Sequence, residues 1–376
     1  VIEHYRDLLS DEGRINCFKQ AIHELVRPES IVIEIGAALG TYSFFASRAG
    51  AKKVYAIEMS DIFPVGKELA RRNNLADKIF FIHGKSTEID IPEKADLIIM
   101  EDYSPFFLYA GLEAVLTDAR QRFLKPEGTF LPSFISLKLA PVEYHAMHQK
   151  IDCFRNSHDH FYGLDWSYTT ELAFNQPYHA DLNPKKLLTA EITIRELDLN
   201  RESELSFQFS TRTTIFNEGT IHGLLGWWDA RFTPNLYYSN SPRHPSTGWG
   251  QLFFPLRYPM AVKQGEVIEI SLMALPSKHQ KSVDYKWGVR SDWQEQEGNT
   301  FRGSYLNLEN LLKFAPEAQV QLSFRGELLN FLLAHCRKPI SWQALAEELV
   351  RAYPHQFPTI SDALKQLPDL LKDLIH

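Results

Sequence analysis

At 376 residues the chain exceeds one ordinary domain, and at roughly 150 residues per domain it predicts two or three. An apolar fraction of 44 % and a charged fraction of 23 % exclude wholesale disorder. A net charge of −7 argues against a nucleic-acid partner or an anionic membrane surface. Cys17, Cys153 and Cys336 lie far apart with no CxxC or Cys/His spacing, so neither a disulfide framework nor a metal site is expected, and a reducing cytoplasm is the expected location. No uncharged apolar run approaches membrane-spanning length. No charged-then-apolar leader opens the chain, although its start at Val1 rather than Met leaves room for residues upstream.

Leu8, Leu9, Ile15, Phe18, Ile22 and Leu25 recur at helical spacing and end before Pro28, predicting a helical start. Ile31 to Ile35 is a β-branched run stopping at Gly36, as a buried parallel strand would. A helix over Thr41 to Ala49 follows, then a strand over Lys53 to Glu58 and a helix over Val65 to Asn73. Ile79 to His83 and Ala95 to Met100 read as further strands, the second ended by Glu101 and Asp102, with a helix over Val115 to Leu124. This alternation predicts a doubly wound parallel sheet.

Past Pro132 the alternation stops. Short strand-like runs, including Leu188–Arg195, Glu204–Thr211, Gly223–Phe232, Gln251–Leu256 and Val267–Ala274, predict an antiparallel sandwich or barrel. Tyr168 to Pro184 lacks a regular pattern and reads as an excursion from it. Glu327 to His335, the apolar face Trp342, Leu345, Ala346, Leu349, Val350, and the face Leu364, Leu367, Leu371, Leu374 predict a three-helix unit, interrupted or restarted at Pro368. The expected domains are 1–132, 133–318 and 326–376.

The strongest chemical signal is Glu34-Ile35-Gly36-Ala37-Ala38-Leu39-Gly40 followed by Glu58, 22 residues after Gly36. Small residues let backbone amides approach a ligand, and a carboxylate at the second strand's tip can accept ribose hydroxyls. A dinucleotide and S-adenosylmethionine both suit that layout. Ala38 stands where a pyrophosphate needs its second glycine, which harms the dinucleotide reading more.

The segments Val32–Gly40 and Ala49–Glu58 resemble the cofactor core of the protein arginine methyltransferases. So do Asp11-Glu12-Gly13-Arg14, Gly84-Lys85, Asp96 to Leu124, Phe161-Tyr162-Gly163-Leu164-Asp165 and Thr247-Gly248-Trp249, in order over about residues 5–290. The resemblance implies a Rossmann-like methyltransferase domain of class I, then a β-barrel with an inserted dimerisation arm, placed at 168–184, and hence a homodimer. The last helices look like a PqqD-type or winged-helix peptide-recognition module. The cofactor implied is S-adenosylmethionine, leaving as S-adenosylhomocysteine. Arg14 matches the arginine that holds its methionine carboxylate, Gly36 and Gly40 shape the turn, Glu58 matches the ribose acceptor, and Thr87 stands at an adenine contact that is acidic in the family. Glu101 matches the first of two glutamates that clamp a guanidinium, with Tyr103 and Trp249 as substrate-side residues.

Two departures stand out. The second clamp glutamate falls on Ala110, with Glu113 the nearest downstream acid, turned aside along a helix. The loop His falls on Gly248, which leaves Asp11 without its expected partner. The leading expectation is an N-methyltransferase acting on a peptide, protein or small amine. A non-catalytic relative that binds a peptide or protein partner is the alternative, and a nicotinamide oxidoreductase is disfavoured.

Overall fold

The computed structural model describes residues 2–154, 162–182, 186–202, 204–244, 247–276, 282–304, 319 and 321–371. The chain divides into two compact units, Val1–Tyr305 and Leu306–His376.

In the first unit, helices α1 (Ile2–Ser10) and α2 (Glu12–Leu25) precede the alternating segment. Strands β1 (Ile31–Ile35), β2 (Lys53–Glu58), β3 (Ile79–His83), β4 (Ala95–Met100) and β5 (Leu124–Leu131) form a parallel sheet in the order β3-β2-β1-β4-β5. Helices α3 (Thr41–Arg48), α4 (Phe63–Arg72) and α5 (Leu112–Arg122) connect them. β1 is buried at every residue, which is why its β-branched run shows no polar alternation. Strand order reverses where β1 lies between β2 and β4, so a crevice opens beyond the carboxyl ends of those strands. Gly36, Glu58, Gly84 and Glu101 are the residues that end or follow β1 to β4. The expected helix to Leu124 ends earlier, at Arg122, because Leu124 begins β5; Pro126 and Gly128 disguise that strand as a loop.

Pairing changes from parallel to antiparallel between β5 and β6 (Phe134–Val142). Strands β7 (Tyr178–Ala180), β12 (Gln251–Val262), β10 (Gly219–Thr233), β6 and β8 (Ile192–Asp198) form one sheet in that order, and β11 (Leu236–Ser239) pairs with β10. A second sheet runs β15 (Glu295–Asn299), β14 (Val283–Arg290), β13 (Val267–Pro276), β9 (Phe207–Thr214). Between the sheets, Trp287 Nε1 donates to the Pro255 carbonyl at 2.8 Å and the Tyr258 amide donates to Gln296 at 2.9 Å.

The excursion expected at 168–184 is partly regular. Helix α6 (His145–Ile151) precedes it, helix α7 (Ser167–Phe174) and β7 lie in it, and Phe174 and Leu182 are buried with Trp227 and Phe253 of the same chain. Those side chains therefore need no partner to cover them. Tyr168 is exposed, as are Tyr162, Leu164 and Trp166 just before it. Phe161, positions 183–184 and the boundary at 318 lie outside the described residues.

In the second unit, α8 (Phe324–His335), α9 (Trp342–Ala352) and α10 (Ile360–Leu371) enclose Leu328, Leu332, Leu345, Leu349 and Leu367. Ser323 and Ser341 cap α8 and α9 by accepting from the Gly326 and Ala344 amides. Pro368 does not interrupt α10 as expected: the helix runs through it to Leu371, and burial of Leu367 and Leu371 offsets the one backbone hydrogen bond that proline, lacking an N–H, cannot donate. Leu374 lies outside the described residues. Among the described residues no helix is long and apolar enough to cross a membrane, and no His/Cys/Asp/Glu group is disposed to hold a metal.

Candidate active site

The turn after β1 is built from left-handed residues, Gly36 at φ 75° and Gly40 at φ 83°. A side chain at Gly40 would come within 2.7 Å of the Phe81 ring, so crowding as well as backbone excludes one. Ala38 also adopts a left-handed φ of 48°, a conformation that costs an L-residue about 1 kcal/mol. Its amide donates to Glu58 Oε2 at 2.8 Å, and the Ser60 amide donates to Oε1 at 2.7 Å. Glu58 is thus fixed at the tip of β2 with lone pairs left on both oxygens.

Glu34 governs what this turn can bind. Its carboxylate sits fully buried under the turn and accepts from the Ser43 amide at 2.7 Å and from the Ser43 hydroxyl. An amide in the first turn of α3, which would otherwise face an incoming anion, is therefore spent on an acid. Burial, opposed by these bonds and reinforced by Glu101, pushes Glu34 up to about 8. A pyrophosphate is poorly served here, whereas a ligand without one is not penalised.

Across the crevice, Arg14 on α2 donates from Nη1 to Glu101 Oε1 at 2.8 Å and from Nη2 to the Leu8 carbonyl. Its guanidinium lies 5.2 Å from the centre of the Trp249 ring. Arg14 is only 2 % exposed, yet its Nε has no hydrogen-bond partner among the described residues. Burial raises Glu101 to about 7, against the lowering effect of Arg14, with Asp102 and Asp11 adding repulsion. Burial and Glu58 likewise raise Asp102.

Asp11 keeps partners despite Gly248. It caps α2 by accepting from the Arg14 amide at 3.1 Å, and its other oxygen accepts from the Gly248 amide at 3.2 Å. The side-chain partner expected from the resemblance is absent at Gly248, and a backbone N–H serves in its place. Glu113 accepts from the Leu205 amide at 3.3 Å and does not line the crevice, whereas Ala110 does.

These groups surround a cleft of about 840 Å³ whose lining includes Arg14, Gly36, Glu58, Thr87, Glu101, Tyr103, Ala110 and Trp249. Gly40 is the one expected site residue that does not line it; it packs behind the turn against Phe81 and Phe44. Sequence reasoning missed the wall contributed by α1, namely His4, Tyr5 and Leu8.

An open parallel sheet joined to an antiparallel β domain, with the cleft at the sheet's switch point, defines a Rossmann-like methyltransferase architecture. Residues 135–292 match the family model described as the arginine methyltransferase oligomerization subdomain. The chain is 30 % identical over 286 residues to protein arginine N-methyltransferase 1 of Schizosaccharomyces pombe, covering 73 % of this chain and 82 % of that one. It is 28 % identical over 324 residues to probable protein arginine N-methyltransferase 6 of Arabidopsis thaliana, 74 % of each chain. In structure it is similar to the Trypanosoma brucei PRMT1 enzyme-prozyme heterotetrameric complex with AdoHcy, with TM-score 0.72, 24 % identity, and coverage of 78 % of this chain and 97 % of that one. The chain belongs to the protein arginine N-methyltransferase family.

Proposed function

We propose that this chain is an S-adenosylmethionine-dependent N-methyltransferase whose acceptor is a side-chain nitrogen of a peptide or protein, arginine foremost. The observation that carries the reading is the Arg14–Glu101 pair, a buried cation and a raised carboxylate facing one cleft with Glu58. The AdoHcy-bound relative is the same fold.

The cleft residues fit that cofactor. Arg14 has a buried nitrogen without a partner among the described residues and suits a carboxylate; Glu58 has lone pairs left for ribose hydroxyls. Thr87 and Gly36 also line the cleft, and Thr87 is the residue that would meet the adenine. When bound, S-adenosylmethionine supplies an electrophilic methyl group on its sulfonium. Glu101 accepts from an acceptor N–H and aligns that nitrogen, which makes the displacement effectively unimolecular. A carboxyl group raised to about 7 also takes up a proton more readily than an ordinary glutamate. Tyr103 and Trp249 wall the cleft and exclude water. Ala110 leaves the second clamp position without a carboxylate, so of the two clamp positions Glu101 alone carries one, with Asp102 and Tyr103 as the other polar groups beside it in the cleft lining.

The proposed domains are 1–132, 133–318 and 326–376, the first boundary supported by the change of pairing between β5 and β6. A homodimer is also proposed. Its support is the match to an oligomerization subdomain and the exposed Tyr162 and Tyr168, at 95 % and 71 %. A strict monomer by light scattering at micromolar concentration would remove it. The activity is tested by calorimetry with S-adenosylhomocysteine, followed by methyl transfer to arginine-containing peptides. Cofactor binding with no transfer to any acceptor would favour a non-catalytic binding protein.

A further inference from the structure

Beside the cleft lies an outer groove of about 750 Å³, whose lining includes Asp7, Asp11, Tyr237, Tyr238 and His244. Gly248 is the one described residue that lines both the groove and the cleft containing Glu101. Among the described residues nothing demands a glycine there: a Cβ at 248 would meet Asp11 Oδ2 alone of them, at 3.9 Å, and the backbone is outside the left-handed region. The space that a side chain would fill is open, and it lies where the two cavities meet.

We propose that Gly248 is a specificity-determining residue: the acceptor side chain comes from the outer groove past Gly248 to Glu101, and the missing side chain sets the width of that passage. This rests on the methyltransferase reading. The groove presents carboxylates and no lysine or arginine among its lining residues, which disfavours an anionic acceptor. Asp11 anchors the passage from both sides, capping α2 and holding the 248 amide, so widening or narrowing it depends on the side chain at 248 rather than on loop movement.

The test compares two probes by calorimetry: S-adenosylhomocysteine, and an analogue whose sulfur is replaced by nitrogen carrying a propyl-guanidinium chain. The inference predicts that Gly248→Leu weakens the extended probe by about tenfold or more, since filling a fitted pocket discriminates on that scale. The same variant should bind S-adenosylhomocysteine as the parent does. Gly248→Ala, which the local space accommodates, serves as the folding control and should show a smaller loss of the extended probe alone. Equal affinity of the extended probe for parent and Gly248→Leu would overturn the inference while leaving the methyltransferase reading intact. Failure of the parent to bind either probe would overturn that reading itself.

Discussion

Arg14 Nη1 donates to Glu101 Oε1 across 2.8 Å, so the residue matched to the cofactor carboxylate and the residue matched to the acceptor nitrogen are in direct contact. Removing either leaves the other charge without its partner: Glu101 alone takes up a proton more readily, and a buried Arg14 alone is destabilising. Arg14→Ala should therefore abolish measurable S-adenosylhomocysteine binding. Glu58→Ala should weaken the same ligand by about 1.5–3 kcal/mol, the range for hydrogen bonds to charged groups. Calorimetry on both variants checks this; unchanged affinity in both would count against the cofactor assignment.

Glu101 at about 7 gives the pH dependence its sign. Alignment of an acceptor N–H needs the carboxylate, so kcat/KM should rise with pH through about 7 and level above it. Stability should move the other way. Glu34 and Glu101 titrate higher folded than unfolded, so the stability they contribute is present below about 4.5 and is lost as pH rises through 7 to 8. Glu34→Gln should flatten the fall in Tm over that window, measured by differential scanning calorimetry. A Tm that rises with pH equally in both proteins would contradict it.

Much of this was legible in the residues themselves. Buried parallel strands write themselves as β-branched runs ending in glycine or acid, as at Ile31–Gly36 and Ala95–Glu101, so the sheet and three of its functional strand ends could be read directly. β5 could not, because Pro126 and Gly128 carry a loop's chemistry inside a strand. Nor could the Asp11–Gly248 bond: a backbone amide is present at every residue but proline, so nothing in the sequence marks the one that takes over a side chain's task. The α1 wall escaped for a related reason, since His4 and Tyr5 face the cleft only after α1 folds back over it.

Ala110→Glu would place a second carboxylate on the cleft wall. With arginine as acceptor, the change should be neutral or should raise kcat/KM on an arginine peptide. A drop on arginine alongside retained cofactor affinity would mean that the cleft is tuned to a less basic nitrogen.

The C-terminal unit has its own core, so its stability should be separable. Leu332→Ala, at a fully buried position, should cost that unit about 2–5 kcal/mol and lower its melting transition. S-adenosylhomocysteine affinity should stay at the parent value. Removing 326–376 should raise KM for a long peptide and leave turnover of a short acceptor nearly unchanged; equal kinetics on both would give these helices a packing role only.

The most direct test is methyl transfer by Glu101→Gln. Parent and variant are incubated with S-adenosylmethionine and an arginine-rich peptide, and added methyl groups are followed by mass spectrometry, with cofactor affinity measured alongside. The predicted result is cofactor affinity close to the parent's, because a glutamine oxygen still accepts from Arg14, with kcat lowered about 10²–10⁴-fold, the range for one positioned acid–base or orienting group. Parent-level transfer by the variant would contradict the role given to Glu101, and with it the claim that one carboxylate aligns the acceptor in this cleft.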